Sequence, residues 1–202
     1  MPTNDLKYNI RRLIAAPNLK RAARLAGQVL PYLKPGDRIL DIGSGTCQVA
    51  AAIADKGHNM TPIDIADKSL VPNLHPKVFD GGRLPFDDNS FDVALLLTVL
   101  HHIPRPDDTI MEARRVAQRI VIIEDVFNSR AEKWFTWIGD SWLNMEIFGH
   151  PHSNRSDAGW RETFARYNLR VLEAHQQIHW FFPFRFRHAT YSLQRAETSS
   201  TE

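Results

Sequence analysis

The stretch LDIGSGTCQ, residues 40–48, contains the residue types that a ligand-binding turn requires. Gly43 and Gly45 can adopt positive φ and let the backbone approach a ligand closely. An apolar run precedes the stretch and an alanine-rich segment follows it, so we expect it to join a strand to a helix, whose first amide groups attract an anion. The stretch also contains Cys47, the one cysteine of the chain. Three interpretations are open at this point: a cofactor loop, a cysteine active site or a tight turn.

An acidic residue follows at a distance that suits a nucleoside ligand. Asp64 lies 19 residues after Gly45, at the end of the second predicted strand, where a carboxylate accepts hydrogen bonds from ribose hydroxyls. The dinucleotide pattern G-x-G-x-x-G would place a third glycine at position 48, which is Gln48 in this chain. This departure disfavours an NAD-dependent oxidoreductase, which we keep as an alternative.

The elements that position these residues alternate between buried strands and helices. Short apolar runs predict strands, and amphipathic or alanine-rich segments predict helices. The predicted strands are 38–42, 59–65, 77–79, 92–97, 119–126, 169–175 and 185–195, and the predicted helices between them are 48–56, 107–117 and 155–167. The alternation predicts an α/β fold with a doubly wound, mostly parallel seven-stranded sheet that binds its ligand at the carboxyl ends of the strands.

We predict a single domain with two helical additions for the 202 residues. Residues 1–36 are expected to form an N-terminal helical cap, because apolar residues recur at helical spacing over 5–33. The ligand-binding domain is then 37–202. Within it, the Trp- and Phe-rich residues 129–149 and the helix 155–167 predict a helical insertion over 129–167, after the fifth strand. We expect this insertion to act as a substrate lid.

Two motifs together resemble one enzyme superfamily. Asp41-x-Gly43-x-Gly45 resembles the D-x-G-x-G-x-G loop of the class I S-adenosylmethionine-dependent methyltransferases, which have a Rossmann-like fold. Residues 80–103, DGGRLPFDDNSFDVALLLTVLHHI, resemble the central block of its small-molecule methyltransferases, D-x-x-x-L-P-F-x-x-x-S-F-D followed by a strand and L-H-H. The resemblance covers residues 38–125 clearly and the last two strands in outline. It departs at Cys47, in a shortened helix before Lys77 and in the missing K-P-G-G turn before the fifth strand.

The resemblance implies S-adenosylmethionine as the cofactor and assigns residues to each of its parts. For the methionine half it implies Gly43 and Gly45, with Asp41 holding the loop and the backbone at Leu97 or Thr98 meeting the ammonium group. For the adenosine half it implies Asp64 on the ribose, Ile65 on the adenine face, Asp80 on the adenine amino group and the Gly81 N–H on the ring.

Methyl transfer also requires an aligned acceptor and, for some acceptors, removal of a proton. His102, after the fourth strand, is our first candidate for that base, and His150 is the second. The other polar residues expected beyond the fourth and fifth strands are His101, Glu124, Asp125, Asp140, Asn144 and His152. These histidines and carboxylates do not have the spacing of a zinc site, so we predict no metal.

Several acceptor classes are disfavoured. Cytosine methylation would need a catalytic thiolate, whereas Cys47 belongs to the cofactor loop, and the N-P-P-Y block of amino-methylating DNA enzymes is absent. The basic leader, with eight Lys and Arg against two Asp in residues 1–38, lacks interleaved aromatic residues, so we predict no nucleic-acid partner. A small organic acceptor of apolar or aromatic character is left. A methyltransferase-like fold kept as a non-catalytic S-adenosylmethionine-binding module is the further alternative.

The expected location is the cytoplasm, because one cysteine suits a reducing compartment and no signal peptide is evident. No run approaches the roughly 20 apolar residues of a membrane-spanning helix. The segment WFFPFRFRH leaves peripheral membrane contact open, although its alternation is typical of a strand with one buried face. The sequence does not predict an oligomeric state. Cys47 is expected in the first turn of the helix, where the helix dipole would make its thiol more acidic and its alkylation would block the site.

Overall fold

The computed structural model describes residues 18–127, 155–181 and 184–196. The chain divides into two compact units, Met1–Pro85 and Phe86–Glu202. Three sets of predictions lie outside the described residues: the helical cap before residue 18, the aromatic segment 129–149, and the candidates His150, His152, Asp140 and Asn144.

The first unit contains three parallel strands in the order β3-β2-β1. Its described elements are α1 (18–29), a 3-10 helix (Leu30–Tyr32), β1 (Arg38–Ile42), α2 (Gln48–Ala54), β2 (Asn59–Asp64) and β3 (Lys77–Val78). Ile39 and Leu40 of β1 and Ile63 of β2 are completely buried. Because Ile39 and Leu40 point to opposite faces, both faces of β1 are covered, as its continuous apolar run predicts.

Pro62 lies inside β2, where a residue without an N–H would normally interrupt a sheet. It is opposite Asp41 of β1. The neighbouring Ile63 carbonyl accepts from Gly43 on the β1 side, whereas the Asp64 carbonyl accepts from Phe79 on the β3 side. Because alternate residues turn their backbone groups to alternate sides, Pro62 turns toward β3, which pairs only with Ile63 and Asp64. The missing N–H costs no ladder bond there.

The second unit contains four strands in the order β4-β5-β7-β6. Its described elements are β4 (Phe91–Leu97), a 3-10 helix (Leu100–His102), α3 (Pro106–Val116), β5 (Ala117–Asp125), α4 (Asp157–Arg166), β6 (Leu169–Phe181) and β7 (Phe184–Arg195). β4 and β5 are parallel, and β7 is antiparallel to both β5 and β6. The described strands total seven, three in the first unit and four in the second. The predicted α/β fold with a mostly parallel seven-stranded sheet is confirmed.

Helix α3 shows how local sequence sets the bounds of an element in this unit. Pro106 takes the first helical position, where its missing N–H needs no partner. Asp107 and Asp108 lie in the first turn and Arg114 and Arg115 in the last, which is the charge order that the helix dipole favours. The helix ends directly at Ala117, the first residue of β5. The strand therefore begins with no intervening turn, as the missing K-P-G-G motif indicates.

Two predictions about the elements are wrong, one about a helix and one about the end of a strand. The shortened helix expected between Ile65 and Lys77 does not form, and residues 65–76 are irregular, with Pro72 and Pro76 among them. The sixth strand continues beyond residue 175 to Phe181, because β7 pairs with it out to Phe184. Polar residues at 175–177 conceal this continuation in the sequence, since cross-strand pairing and not an apolar run maintains it.

Candidate functional site

The loop between β1 and α2 makes a left-handed turn over the end of β2. Gly43, Gly45 and Cys47 have φ of 75°, 51° and 58°. The N–H groups of Gly43 and Ser44 donate to the Ile63 carbonyl at 2.9 and 3.2 Å. The glycines therefore stand where the backbone requires positive φ, which glycine adopts without steric cost. A Cβ at Gly45 would meet no atom within 4 Å, so the backbone can be approached closely at this residue.

Asp64, the last residue of β2, holds the loop directly. One carboxylate oxygen, Oδ2, accepts from the Gly45 N–H at 2.7 Å. The other, Oδ1, accepts from the N–H groups of Ile65 at 2.7 Å and Ala66 at 3.4 Å. A carboxylate can accept about four hydrogen bonds, so capacity for a ligand hydroxyl is left. The sequence predicts the position of this acid but not its bond to the loop.

Asp41 lies beneath the loop in β1 and is 2% exposed. Its Oδ2 atom is buried and has no hydrogen-bond partner among the described residues. Burial, and to a smaller extent the negative charge of Asp64, raise the pKa of the Asp41 carboxyl from 3.8 to about 7. A buried acceptor without a partner is costly, so this carboxyl suits a ligand that supplies a donor or a positive charge.

Ile65 and Gly81 form an apolar surface beside Asp64. The Ile65 side chain is 65% exposed, which is unusual for a large apolar residue. Gly81 has φ of 83°, and a Cβ there would lie 3.3 Å from Ile65 Cγ2. Asp80 is exposed and accepts from the Gly82 N–H at 2.9 Å. The structure thus brings Ile65 and Gly81 into direct proximity, next to Asp64, as a base-binding surface requires.

The expectation that Cys47 is acidic and open to alkylation is wrong. Cys47 precedes α2 in a left-handed conformation instead of lying in its first turn, and it is completely buried. Burial raises the pKa of its thiol, although hydrogen bonds to Ser44 and Ser69 act in the opposite direction. Because the thiolate is the reactive form, this thiol is unreactive.

The irregular segment 65–76 supports the loop from outside. The Leu70 N–H donates to the Thr46 carbonyl at 3.1 Å. The segment is closed by His75, whose Nδ1 lies 2.8 Å from an Asp67 carboxylate oxygen. This hydrogen bond raises the pKa of His75, and the Ser69 N–H and then His75 lower the pKa of Asp67. Hydrogen bonds replace the expected helix as the support of the loop.

In the second unit, β4 ends at Leu97 and the backbone then turns sharply at Thr98. Thr98 has φ of 54° and is 8% exposed. Its N–H donates to the Ile123 carbonyl of β5 at 2.6 Å. A β-branched residue at positive φ is strained, and such strain is concentrated at functional turns. The contact of Leu97 or Thr98 with a cofactor stays a prediction.

The 3-10 helix after β4 contains two adjacent histidines, of which His101 is buried. His101 Nδ1 lies 2.6 Å from Glu124 Oε2, and both side chains are at most 3% exposed. His102 is half-buried, with its ring centroid 4.0 Å from that of His101. Our first candidate base is therefore the more accessible of the two histidines, and its neighbour is the one bound to a carboxylate.

A second histidine–carboxylate pair was not identified from the sequence. His188 Nε2 lies 3.2 Å from Asp125 Oδ1, and the two residues are opposite each other on β7 and β5. His188 is 6% exposed and Asp125 8%. The sequence signal that could have indicated this pair is a polar residue next to an apolar run. Asp125 ends one buried run, and His188 begins another.

Two other kinds of feature are absent from the described residues. Nowhere in 18–127, 155–181 and 184–196 do three or more His, Cys, Asp or Glu side chains form a group that could hold a metal ion. Over the same part of the chain, every helix is too short or too polar to cross a membrane.

Comparison with known proteins gives one consistent result. Residues 40–121 match the family described as a methyltransferase domain. The chain is 26% identical over 161 residues to the ubiquinone/menaquinone biosynthesis C-methyltransferase of Burkholderia mallei, an alignment that covers 66% of this chain. This chain spans only 65% of the length of that relative.

Solved structures share the fold at lower identity. A SAM-dependent methyltransferase from Methanosarcina mazei superimposes with a TM-score of 0.67 at 20% identity, over 83% of this chain and 96% of that one. The [4+2]-cyclase SpnF superimposes with a TM-score of 0.68 at 18% identity, over 87% of this chain and 81% of that one. At these identities the likeness concerns the fold.

Proposed function

We propose that the chain is a class I S-adenosylmethionine-dependent methyltransferase and transfers a methyl group from S-adenosylmethionine to a small organic molecule; the match of residues 40–121 to a methyltransferase domain supports this. The observation that carries the proposal is the Asp64 carboxylate, bonded to the glycine loop at 2.7 Å and adjacent to the exposed Ile65. A ribose-binding acid, a base-binding surface and a left-handed glycine loop are thereby joined in one unit.

The residues of the first unit fit the adenosine part of this cofactor. Asp64 accepts the ribose hydroxyls, Ile65 packs on the adenine face, and Asp80 accepts from the adenine amino group. Gly81 presents its N–H to the ring, and its lack of a Cβ keeps the surface of Ile65 accessible. These roles come from the resemblance, and the proximity of Ile65 and Gly81 supports them.

The glycine loop fits the methionine part. Gly43 and Gly45 let the backbone approach the ligand, and the buried Asp41 places an unpaired carboxyl oxygen beneath it. The positive charge of the ligand would favour ionisation of that carboxyl. Backbone groups at Leu97 or Thr98 remain our proposal for the methionine ammonium.

The cofactor supplies an electrophilic methyl group on a sulfonium, so the protein has to align the acceptor and, where needed, remove its proton. We assign proton removal first to His102 and second to His150. A bound cofactor would supply the electrophilic methyl group, and the histidine would take the proton that the acceptor loses.

An apolar or aromatic acceptor is the best-supported class. The named Burkholderia relatives act in ubiquinone and menaquinone biosynthesis by C-methylation, which is consistent with an aromatic acceptor here. Location in the cytoplasm and absence of a nucleic-acid partner stay predictions from the sequence.

Two other functions remain as alternatives. An NAD-dependent oxidoreductase is disfavoured by Gln48 and by the family match. A non-catalytic S-adenosylmethionine-binding module is the second alternative. Transfer of labelled methyl from S-adenosylmethionine to a panel of phenols, quinols and amines distinguishes this alternative, since cofactor binding without turnover would support it.

The test of the cofactor site is the substitution Asp64→Ala. Loss of the ribose hydrogen bonds and of the Gly45 contact should weaken S-adenosylhomocysteine binding by about 1–3 kcal/mol, measured as a change in the dissociation constant. The matched control is Asp55→Ala, which removes an exposed carboxylate after α2 and should change affinity less than about twofold. Equal affinities for wild type and Asp64→Ala would contradict the assignment.

A further inference from the structure

The buried pair of His101 and Glu124 has no part in the function proposed so far. Glu124 is completely buried at the end of β5, and His101 is 3% exposed. Burying two ionisable groups is costly unless they hold each other and bond further polar groups. Their 2.6 Å contact and their place at the carboxyl end of a parallel strand mark the pair as a candidate part of the reaction site.

Glu124 also holds the backbone of the turn that contains His102. Its second oxygen, Oε1, accepts from the Leu100 N–H at 2.7 Å. His102 belongs to the same turn, because its N–H donates to the Val99 carbonyl at 3.0 Å. The His101 and His102 rings are 4.0 Å apart at 45°. One carboxylate therefore fixes both the backbone of this turn and the ring adjacent to His102.

Charged groups on or next to α3, α4, β5 and β7 form pairs with one another. These pairs are Arg105 with Asp108 at 3.2 Å, Arg155 with Asp107 at 2.6 Å, His188 with Asp125 at 3.2 Å, and the Tyr191 hydroxyl with Asp157 at 2.7 Å. The Glu124 carboxylate belongs to a different pair and bonds the turn itself.

We propose that Glu124, acting through His101, is a positioning residue for proton removal by His102. This inference rests on the proposed methyltransferase function. Glu124 accepts the Nδ1 proton of His101 and so fixes the orientation and tautomer of that ring. Its negative charge, one ring away, stabilises the imidazolium that forms when His102 takes the proton of the acceptor. The arrangement favours an acceptor with a removable proton, such as a phenol, an enol or a hydroquinone ring carbon.

The experiment compares Glu124→Gln with the matched variant Asp125→Asn. Each replaces a buried carboxylate by its amide, and the two residues are adjacent in β5 but belong to different histidine pairs. NMR titration of the histidine rings in cofactor-free protein should show that Glu124→Gln lowers the proton affinity of His102 about tenfold. Asp125→Asn should leave the His102 titration in place. Identical His102 titrations in wild type and Glu124→Gln would overturn the proposal.

Steady-state kinetics of methyl transfer are the second measurement. Glu124→Gln should lower kcat about 10- to 100-fold, leave KM for the cofactor unchanged and move the acid limb of the pH profile to lower pH. A wild-type protein that binds cofactor but transfers no methyl would contradict the proposed function, while the NMR comparison would still decide the role of Glu124. If Glu124→Gln does not fold, Glu124→Asp retains the charge but withdraws it from the turn. A smaller decrease in His102 proton affinity is then expected, and no decrease contradicts the inference.

Discussion

At the scale of single residues, Asp41 and Cys47 show how position changes the chemistry of a side chain. Both lie in or next to the glycine loop, and both are buried. Burial raises the pKa of each, which makes the carboxyl a group that titrates near neutral pH and the thiol an inert one. The residue types alone indicate an acid and a nucleophile, so burial is the information that the sequence lacks.

Asp41 should make the stability of the protein depend on pH. Its pKa is 3.8 in the unfolded chain and about 7 in the folded one, so the folded state binds the proton more tightly. The stabilisation due to the protonated carboxyl is complete below about pH 4 and is lost as the pH rises through about 7. Asp41→Asn removes this dependence and should increase the free energy of unfolding at pH 8 by up to about 4 kcal/mol.

Urea unfolding at pH 5 and pH 8 measures this effect. Asp55→Asn, which removes an exposed carboxyl after α2, is the control for the loss of one negative charge. The unfolding free energy should change unequally between pH 5 and pH 8 in wild type and in Asp41→Asn. Equal changes would show that the Asp41 carboxyl is not the titrating group.

Cys47 should resist thiol reagents in the folded protein. Its labelling by iodoacetamide at pH 8 should be at least about tenfold slower than in the urea-unfolded chain, because the thiol is buried and mainly protonated. Rapid labelling of the folded protein would contradict the buried placement. Glycine at this position permits the observed positive φ, so Cys47→Gly should keep cofactor binding and fold with a stability within about 1 kcal/mol of wild type.

At the scale of elements, the apolar strands were the most predictable part of the chain. β1 and β4 match their predicted bounds to within one residue, because a buried parallel strand needs a continuous apolar run and both sequences contain one. The segment 65–76 and the end of β6 were not predictable in this way. Side-chain hydrogen bonds of Ser69 and His75 hold the first, and pairing with β7 holds the second.

The candidate site was predictable to a similar extent. Gly43, Gly45 and Asp64 follow from motif spacing, whereas Asp41, Ile65 and Gly81 follow from the family resemblance. The structure places all six at the ends of β1 and β2 and in the loop after β3. His188 was missed, since its partner Asp125 is 63 residues earlier in the chain and only strand pairing brings them together. Contacts between distant strands leave no local pattern in a sequence.

One hydrogen bond between helix α4 and β7 uses the Tyr191 hydroxyl. Tyr191 is completely buried, and its hydroxyl donates to Asp157 in the first turn of α4 at 2.7 Å. Burial and this bond raise the pKa of Tyr191. Burial raises the pKa of Asp157, but the hydrogen bonds from Arg161 and Tyr191 outweigh it and lower the net value.

Tyr191→Phe should therefore decrease the free energy of unfolding by about 1–2 kcal/mol, because Asp157 loses a partly buried donor. Thermal or urea unfolding measures the change. Tyr167→Phe, whose hydroxyl bonds Asp107 at 3.1 Å in a more exposed place, should have a smaller effect. An equal or larger loss in Tyr167→Phe would contradict the importance given to the α4–β7 bond.

At the scale of the whole molecule, the fold limits the function less than the site does. A methyltransferase and a cyclase share this architecture at TM-scores of 0.67 and 0.68, so the sheet alone cannot identify a reaction. The net charge of +2 is small and does not indicate a strongly anionic partner. The functional assignment therefore depends on the family match together with the loop, Asp64 and Ile65.

Binding of the cofactor by the intact chain is the central claim, and calorimetric titration with S-adenosylhomocysteine tests it most directly. We expect one site per chain with micromolar affinity, and a melting temperature that rises with ligand, since a ligand at 100 times its Kd adds about 2.7 kcal/mol to stability. The account would be contradicted if S-adenosylmethionine and S-adenosylhomocysteine gave no heat of binding and no stabilisation while NAD stabilised the protein.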